Sequence, residues 1–102
     1  MKLSESQRKH LRGLGHQLKP VVMIGDEGLS DTLLAEFEST LGHHELIKVR
    51  VRVGDRDTRD AIIEKLCADS FAVLVQRIGN VALLYRANPE KQPAKRIRLP
   101  AR

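Results

Sequence analysis

Apolar and polar residues alternate most regularly in ELIKVRVRV, where Ile47, Val49, Val51 and Val53 are separated by Lys48, Arg50 and Arg52. A period of two sends successive side chains to opposite faces of a strand, so the segment predicts a strand with aliphatics inward and cations outward. Upstream, Leu33, Leu34, Phe37 and Leu41 recur at helical spacing after Ser30, a residue type that caps helices, and Gly42 supplies a stop. Between Pro20 and this helix lies the unbroken apolar run Val21–Ile24, which reads as a strand buried on both faces. Ahead of it, Ser4 stands three residues before Gln7, the capping-box spacing, and a sparse stripe of Leu3, Leu11, Leu14 and Leu18 predicts a first helix from about Ser6 to Gly13 or Gly15.

Downstream of the alternating strand, acids following Gly54 can cap a third helix whose buried side takes Ala61, Ile62 and Leu66. FAVLVQRI and VALLYR then read as two strands joined by Gly79-Asn80, a link that closes tight hairpins. The predicted order is αβαβαββ, and the fold class is α/β. A strand-helix-strand unit makes a parallel crossover and a hairpin is antiparallel, so the expectation is one mixed four-stranded sheet with helices. From Asn88 onward prolines and charges replace any periodicity. Residues 1–87 are therefore expected to form the domain and residues 88–102 a mobile basic tail.

A chain of 102 residues with 41% apolar content suffices for a single hydrophobic core. No stretch approaches the ~20 apolar residues that cross a bilayer. The opening MKLSESQRKHLRGLGHQLKP is too polar for a secretory signal, and the lone Cys67 suits a reducing compartment, so a cytoplasmic location is expected.

The net charge of +5 draws the chain toward polyanions, and the cations are clustered. They gather in the first segment (Lys2, Arg8, Lys9, Arg12, Lys19), on the alternating strand, and after Tyr85 (Arg86, Lys91, Lys95, Arg96, Arg98, Arg102).

Catalytic chemistry finds little support. His43, His44 and Glu45 are adjacent and point apart at a helix-to-strand corner, which makes them cap or surface residues rather than metal ligands. Cys67 lies among apolar residues with no partner signature and reads as a small buried thiol. The turn Gly25-Asp26-Glu27-Gly28 lacks the Lys-Ser/Thr of a phosphate-binding Walker loop and the third glycine of a dinucleotide fingerprint. The expectation is a non-enzyme without cofactor, metal or small-molecule substrate. Three cations in a row on one strand face repel one another unless a polyanion relieves them, and aromatics at 3% leave little for base stacking. Recognition of phosphate and shape is expected. The competing reading is a protein-interaction module, in which the acidic second helix with Glu36 and Glu38 docks a basic partner.

LKPVVMIGDEGLSDTLLAEFESTLGHHELIKVRV together with IGNVALLYR resembles the CRM domain (chloroplast RNA splicing and ribosome maturation) in its stand-alone, bacterial, YhbY-like form, over about Leu3 to Arg86. The combination of Leu-Lys-Pro, Gly-x-x-Gly-Leu, His-Glu-Leu-Ile-Lys-Val and Leu-Tyr-Arg carries the resemblance. It implies a fold similar to the C-terminal domain of translation initiation factor three, with a KH-like Gly-x-x-Gly loop. It also implies a monomeric RNA-binding protein that associates with ribosomal RNA precursors of the large subunit during ribosome maturation.

Carried onto this chain, the loop glycines are Gly25 and Gly28, and the basic surface includes Lys19, Lys48, Arg50 and Arg86. Arg52 on the cationic strand, and Arg8 and Arg12 on the first helix, complete the expected RNA-binding set. Relatives often have a basic or neutral residue between the loop glycines and a lysine where Asn80 stands; here Asp26 and Glu27 oppose a phosphate within the ~8–10 Å screening length. Backbone N–H groups and the cationic strand are expected to share the contact, with the loop side chains turned away.

Overall fold

Side-chain caps start each of the three α-helices in the computed structural model, which describes residues 2–101. The Ser4 hydroxyl accepts from the Gln7 N–H at 3.1 Å while Gln7 Oε1 accepts from the Ser4 N–H at 3.0 Å, so the predicted capping box opens α1 (Glu5–Gly15). Ser30 accepts from Leu33 N–H at 3.1 Å to begin α2 (Asp31–His44), and Asp55 from Thr58 N–H at 2.7 Å to begin α3 (Arg56–Ser70).

The strands β1 (Pro20–Ile24), β2 (Leu46–Val51), β3 (Val73–Ile78) and β4 (Val81–Tyr85) form one sheet in the order β1-β2-β4-β3. β1 and β2 are parallel and joined through α2; β4 is antiparallel to both β2 and β3. The αβαβαββ order and the mixed four-stranded sheet are those the sequence pattern predicts. The second crossover carries the chain past the position of β4 to the far edge, and the hairpin returns β4 to the middle.

The alternation in β2 divides two cores. Ile47, Val49 and Val51 face α2 and α3, where they pack with Val22, Ile24, Phe37, Leu41, Ile63, Leu66 and Leu84. Burying each such side chain contributes roughly 1.5–3 kcal/mol. On the opposite face α1 packs across β2, β3 and β4, and Leu11, Leu46, Val75, Leu83 and Tyr85 form the second core with Leu3. Gly15 lets the end of α1 approach closely, since a Cβ there would sit 2.6 Å from a Leu83 methyl.

Two expectations about these elements are corrected. β1 is an edge strand buried on one face only: Val22 and Ile24 enter the core, while Val21 and Met23 are about half exposed because α1 does not reach over them. α2 runs through Gly42 to His44 and stops at Glu45, whose φ of 65° breaks the helix while its N–H donates to Leu41 C=O at 2.8 Å. Glu45 takes the cap role, one of the two expected for it, and does so as a buried residue, 1% exposed.

The segment expected as a mobile tail returns over the second core. The Glu45 carboxylate accepts from the Asn88 N–H through Oε2 and from the Ile97 N–H through Oε1, both at 2.8 Å, and Lys91 Nζ lies 3.7 Å from Oε1. Ile97 and Leu99 pack on the second core, a short 3-10 turn spans Pro93–Lys95, and Gln7 Nε2 donates to Pro100 C=O at 2.9 Å. One buried carboxylate thus ties both ends of a strap to the corner between α2 and β2. Arg102 lies outside the described residues.

Candidate nucleic-acid interface

Because β2 alternates, Lys48 and Arg50 share the sheet face that α1 only partly covers, and Arg52 continues the row just beyond the strand. Lys48 and Arg50 are half-buried and Arg52 is exposed. Among the described residues no carboxylate lies within ion-pair distance of any of the three. Pro20 pairs with Lys48 and Met23 with Arg50 across the parallel β1–β2 ladder, and the Arg52 N–H donates to Ile24 C=O at 2.6 Å. Arg52 is thereby fixed beside Gly25. Lys19 joins the same surface, since it and Lys48 both line a cleft of about 200 Å³ at the start of β1.

The Gly25–Gly28 segment closes as a turn in which the Gly28 N–H donates to Gly25 C=O at 3.0 Å. Gly28 has φ of 72°, a conformation that a side chain resists, whereas Gly25 needs no such freedom and has open space where a Cβ would stand. Asp26 and Glu27 are both exposed on the turn. The turn, Arg52, the hairpin tip at Asn80 and the N-termini of α2 and α3 lie at one end of the sheet; Val51 N–H reaches Asn80 C=O at 2.7 Å.

Other cations from the expected set are placed differently. Arg12 sits half-buried in the last turn of α1. Arg8 donates through Nη1 to the carbonyls of Leu74 at 2.7 Å and Val75 at 2.9 Å, so its charge is spent holding β3. Arg86 lies on the helical side of the sheet, where Nη1 meets Glu38 Oε1 of α2 at 2.6 Å and Ser70 C=O of α3 at 3.0 Å. The structure therefore lines up Lys48, Arg50 and Arg52 in a row that runs to the glycine turn, places Lys19 at the far end of that row, and sets Arg8 and Arg86 apart from it. The Arg86 contact also occupies Glu38, which reduces the acidic face of α2 available to a basic partner.

Little here resembles acid–base machinery. Asp55 is held below the usual carboxylate range, chiefly by the Thr58 N–H, and burial pushes the Cys67 thiol and the Tyr85 hydroxyl up, the latter helped by the Glu45 charge. Each has a structural cause. Among the described residues no three His, Cys, Asp or Glu side chains gather as a metal site, and no helix is long and apolar enough to cross a membrane.

Comparison with known proteins gives a consistent result. The CRS1 / YhbY (CRM) domain matches residues 3–86. A protein of Haemophilus influenzae named as an RNA-binding protein is 48% identical over 88 residues, covering 86% of this chain and 89% of that one. One from Pseudomonas aeruginosa named as a probable RNA-binding protein is 47% identical over 90 residues, covering 88% and 86%. Among solved structures, the solution structure of a Staphylococcus aureus protein superposes with a TM-score of 0.78 at 32% identity, covering 97% of this chain and 100% of that one.

Proposed function

The chain belongs to the CRS1/YhbY (CRM) domain family, and on that premise we propose that it is a non-enzymatic RNA-binding protein working through phosphate and shape contacts. The observation that carries this reading is the row Lys48, Arg50 and Arg52, free of carboxylate partners among the described residues and running toward the Gly25–Gly28 turn. Adjacent cations held on one rigid strand raise the local potential, and a phosphate backbone lowers that energy while releasing its own counterions. Lys19 extends the surface to the other end of the strand. Asp26 and Glu27 disfavour phosphate at the tip of the turn, so the contact falls on the strand side and on backbone N–H groups.

Within this reading the biological ligand is a precursor of large-subunit ribosomal RNA, and the protein acts in the cytoplasm during ribosome maturation. The resemblance over residues 3–86 supports that assignment, and the names of the relatives support RNA as the partner. The experiment is a sedimentation gradient of cell extract. The protein should travel with immature large subunits at low salt and leave them as salt is raised. Free migration at the top of the gradient at low salt would refute the ribosomal assignment.

A further inference from the structure

Phosphate contacts leave unexplained a cavity of about 330 Å³ where the end of α1 meets the open half of the sheet. Its size stands at the lower limit of the roughly 300–1,000 Å³ typical of pockets that hold small organic groups. Leu83 and Ile78 give it apolar surface, His16 and Gln76 polar groups, and Lys48 and Arg50 a cationic side.

Gln76 is there because of a defect in β3. Strict alternation would send Leu74 and Gln76 to the helical core and Val75 and Arg77 to the α1 side. The register shifts between Leu74 and Gln76, so Val75 and Gln76 both face α1, Gln76 opposite Leu83, while Arg77 swings under α3 to meet Asp60 at 3.1 Å. Bulges of this kind re-aim side chains and often adjoin functional sites. The Arg8 guanidinium holds this one by donating to the carbonyls of Leu74 and Val75. Arg8 is thus a positioning residue.

The aimed amide has no partner of its own. Among the described residues the Gln76 side chain makes no hydrogen bond to the protein, and half-buried Arg50 lines the same cavity. An amide offers an acceptor and two donors, and a guanidinium plane can both donate and stack. A nucleobase is a flat apolar body with a mixed donor–acceptor edge, linked through ribose to phosphate on either side. The cavity presents the complementary set: apolar surface for the ring, an amide for the edge, and cations for the flanking phosphates.

Resting on the RNA-binding reading, we propose that this cavity receives one unstacked base of single-stranded RNA, with Gln76 reading its edge and His16 and Arg50 lying against the ring. A continuous duplex keeps its bases stacked and could satisfy only the phosphate row.

The test measures affinity for a short single-stranded RNA, a duplex of the same length, and a ribose-phosphate strand of that length lacking bases. The unaltered protein should prefer the base-bearing single strand over the abasic one by roughly fivefold or more, the low end of what stacking one base contributes. Gln76→Leu and His16→Ala should shrink that preference while leaving the abasic affinity and its salt dependence unchanged. Equal binding of the two single strands, or a preference that survives both substitutions, would overturn the cavity proposal and leave phosphate binding standing. Absence of salt-sensitive binding to any of the three would overturn the RNA-binding reading, and the cavity proposal with it. The abasic comparison uses the unaltered chain, so it decides the matter even where a variant fails to fold.

Discussion

Replacing Glu45 by alanine removes both carboxylate acceptors that tie the C-terminal strap to the domain. The N–H groups of Asn88 and Ile97, each 2.8 Å from a carboxylate oxygen, lose their partner, and Lys91 keeps only the His43 carbonyl at 2.8 Å. A hydrogen bond to a charged group contributes roughly 1.5–3 kcal/mol, so two set an upper bound of about 3–6 kcal/mol. The strap can lift and recover water for its N–H groups, at the expense of the packing of Ile97 and Leu99 on the second core. We expect a net loss of about 2–4 kcal/mol, a large share of the ~5–15 kcal/mol that holds most domains together. At about 4–8 °C per kcal/mol for a domain near this size, the melting temperature should fall by roughly 10–30 °C.

Glycine provides an internal control. Glu45 has φ of 65°, a conformation that costs a non-glycine residue roughly 1–3 kcal/mol and that glycine adopts freely. Glu45→Gly should therefore be more stable than Glu45→Ala, the reverse of the usual order in regular structure. Urea unfolding followed by circular dichroism gives both values, and tryptic cleavage at Lys91, Lys95, Arg96 and Arg98 reports whether the strap has lifted. Stability of the alanine variant within about 0.5 kcal/mol of the parent, the range of an ordinary surface change, would mean that the strap does not depend on the Glu45 carboxylate.

Gly15→Ala should destabilise by about 1–3 kcal/mol in urea titrations, because the new methyl would stand 2.6 and 2.9 Å from the methyls of buried Leu83; an unchanged midpoint would mean that α1 does not rest on that residue. Burial raises the Cys67 thiol above its ordinary value, so alkylation at neutral pH should be much slower in the folded chain than in urea, as mass spectrometry would read. Asp55 has a folded pKa below its ordinary 3.8, so its capping contribution is complete above that value and is lost as pH falls through the lower folded one. The stability gap between the parent and Asp55→Ala should accordingly be constant near neutrality and close in acid; a gap that widened in acid would contradict the capping role.

Local periodicity announced some parts of this molecule and was silent on others. The β2 alternation reveals both the inward aliphatics and the cation row because a period of two survives whatever surrounds it. Caps at Ser4 and Ser30 are equally legible, each depending on a residue three positions away. The run Val21–Ile24 carries no alternation, so nothing in it says that one face stays open; that follows from the edge position of β1 and the short reach of α1. Gly42 is a plausible stop, yet packing carries α2 onward until Glu45 accepts a strained φ in exchange for two strap hydrogen bonds.

Arg8 and Arg86 look like surface cations because their partners are distant in sequence: the Leu74 and Val75 carbonyls lie 66 and 67 positions from Arg8, and Glu38 and the Ser70 carbonyl 48 and 16 positions from Arg86. The β3 bulge has no glycine or proline to mark it, so the cavity residue Gln76 escapes sequence reading altogether. Ile97 and Leu99 do alternate with charges, a faint sign that the basic segment had a surface to cover.

On the proposed reading Lys48, Arg50 and Arg52 act together on phosphate. The most direct measurement is RNA affinity across a range of salt concentrations for the parent and for the variant with all three changed to alanine. Each phosphate contact contributes roughly 0.7–0.9 to the slope of log K against log salt, so the variant should bind every RNA more weakly and with a slope shallower by about 2. An unchanged slope and affinity in a folded variant would mean that these three cations do not bind phosphate.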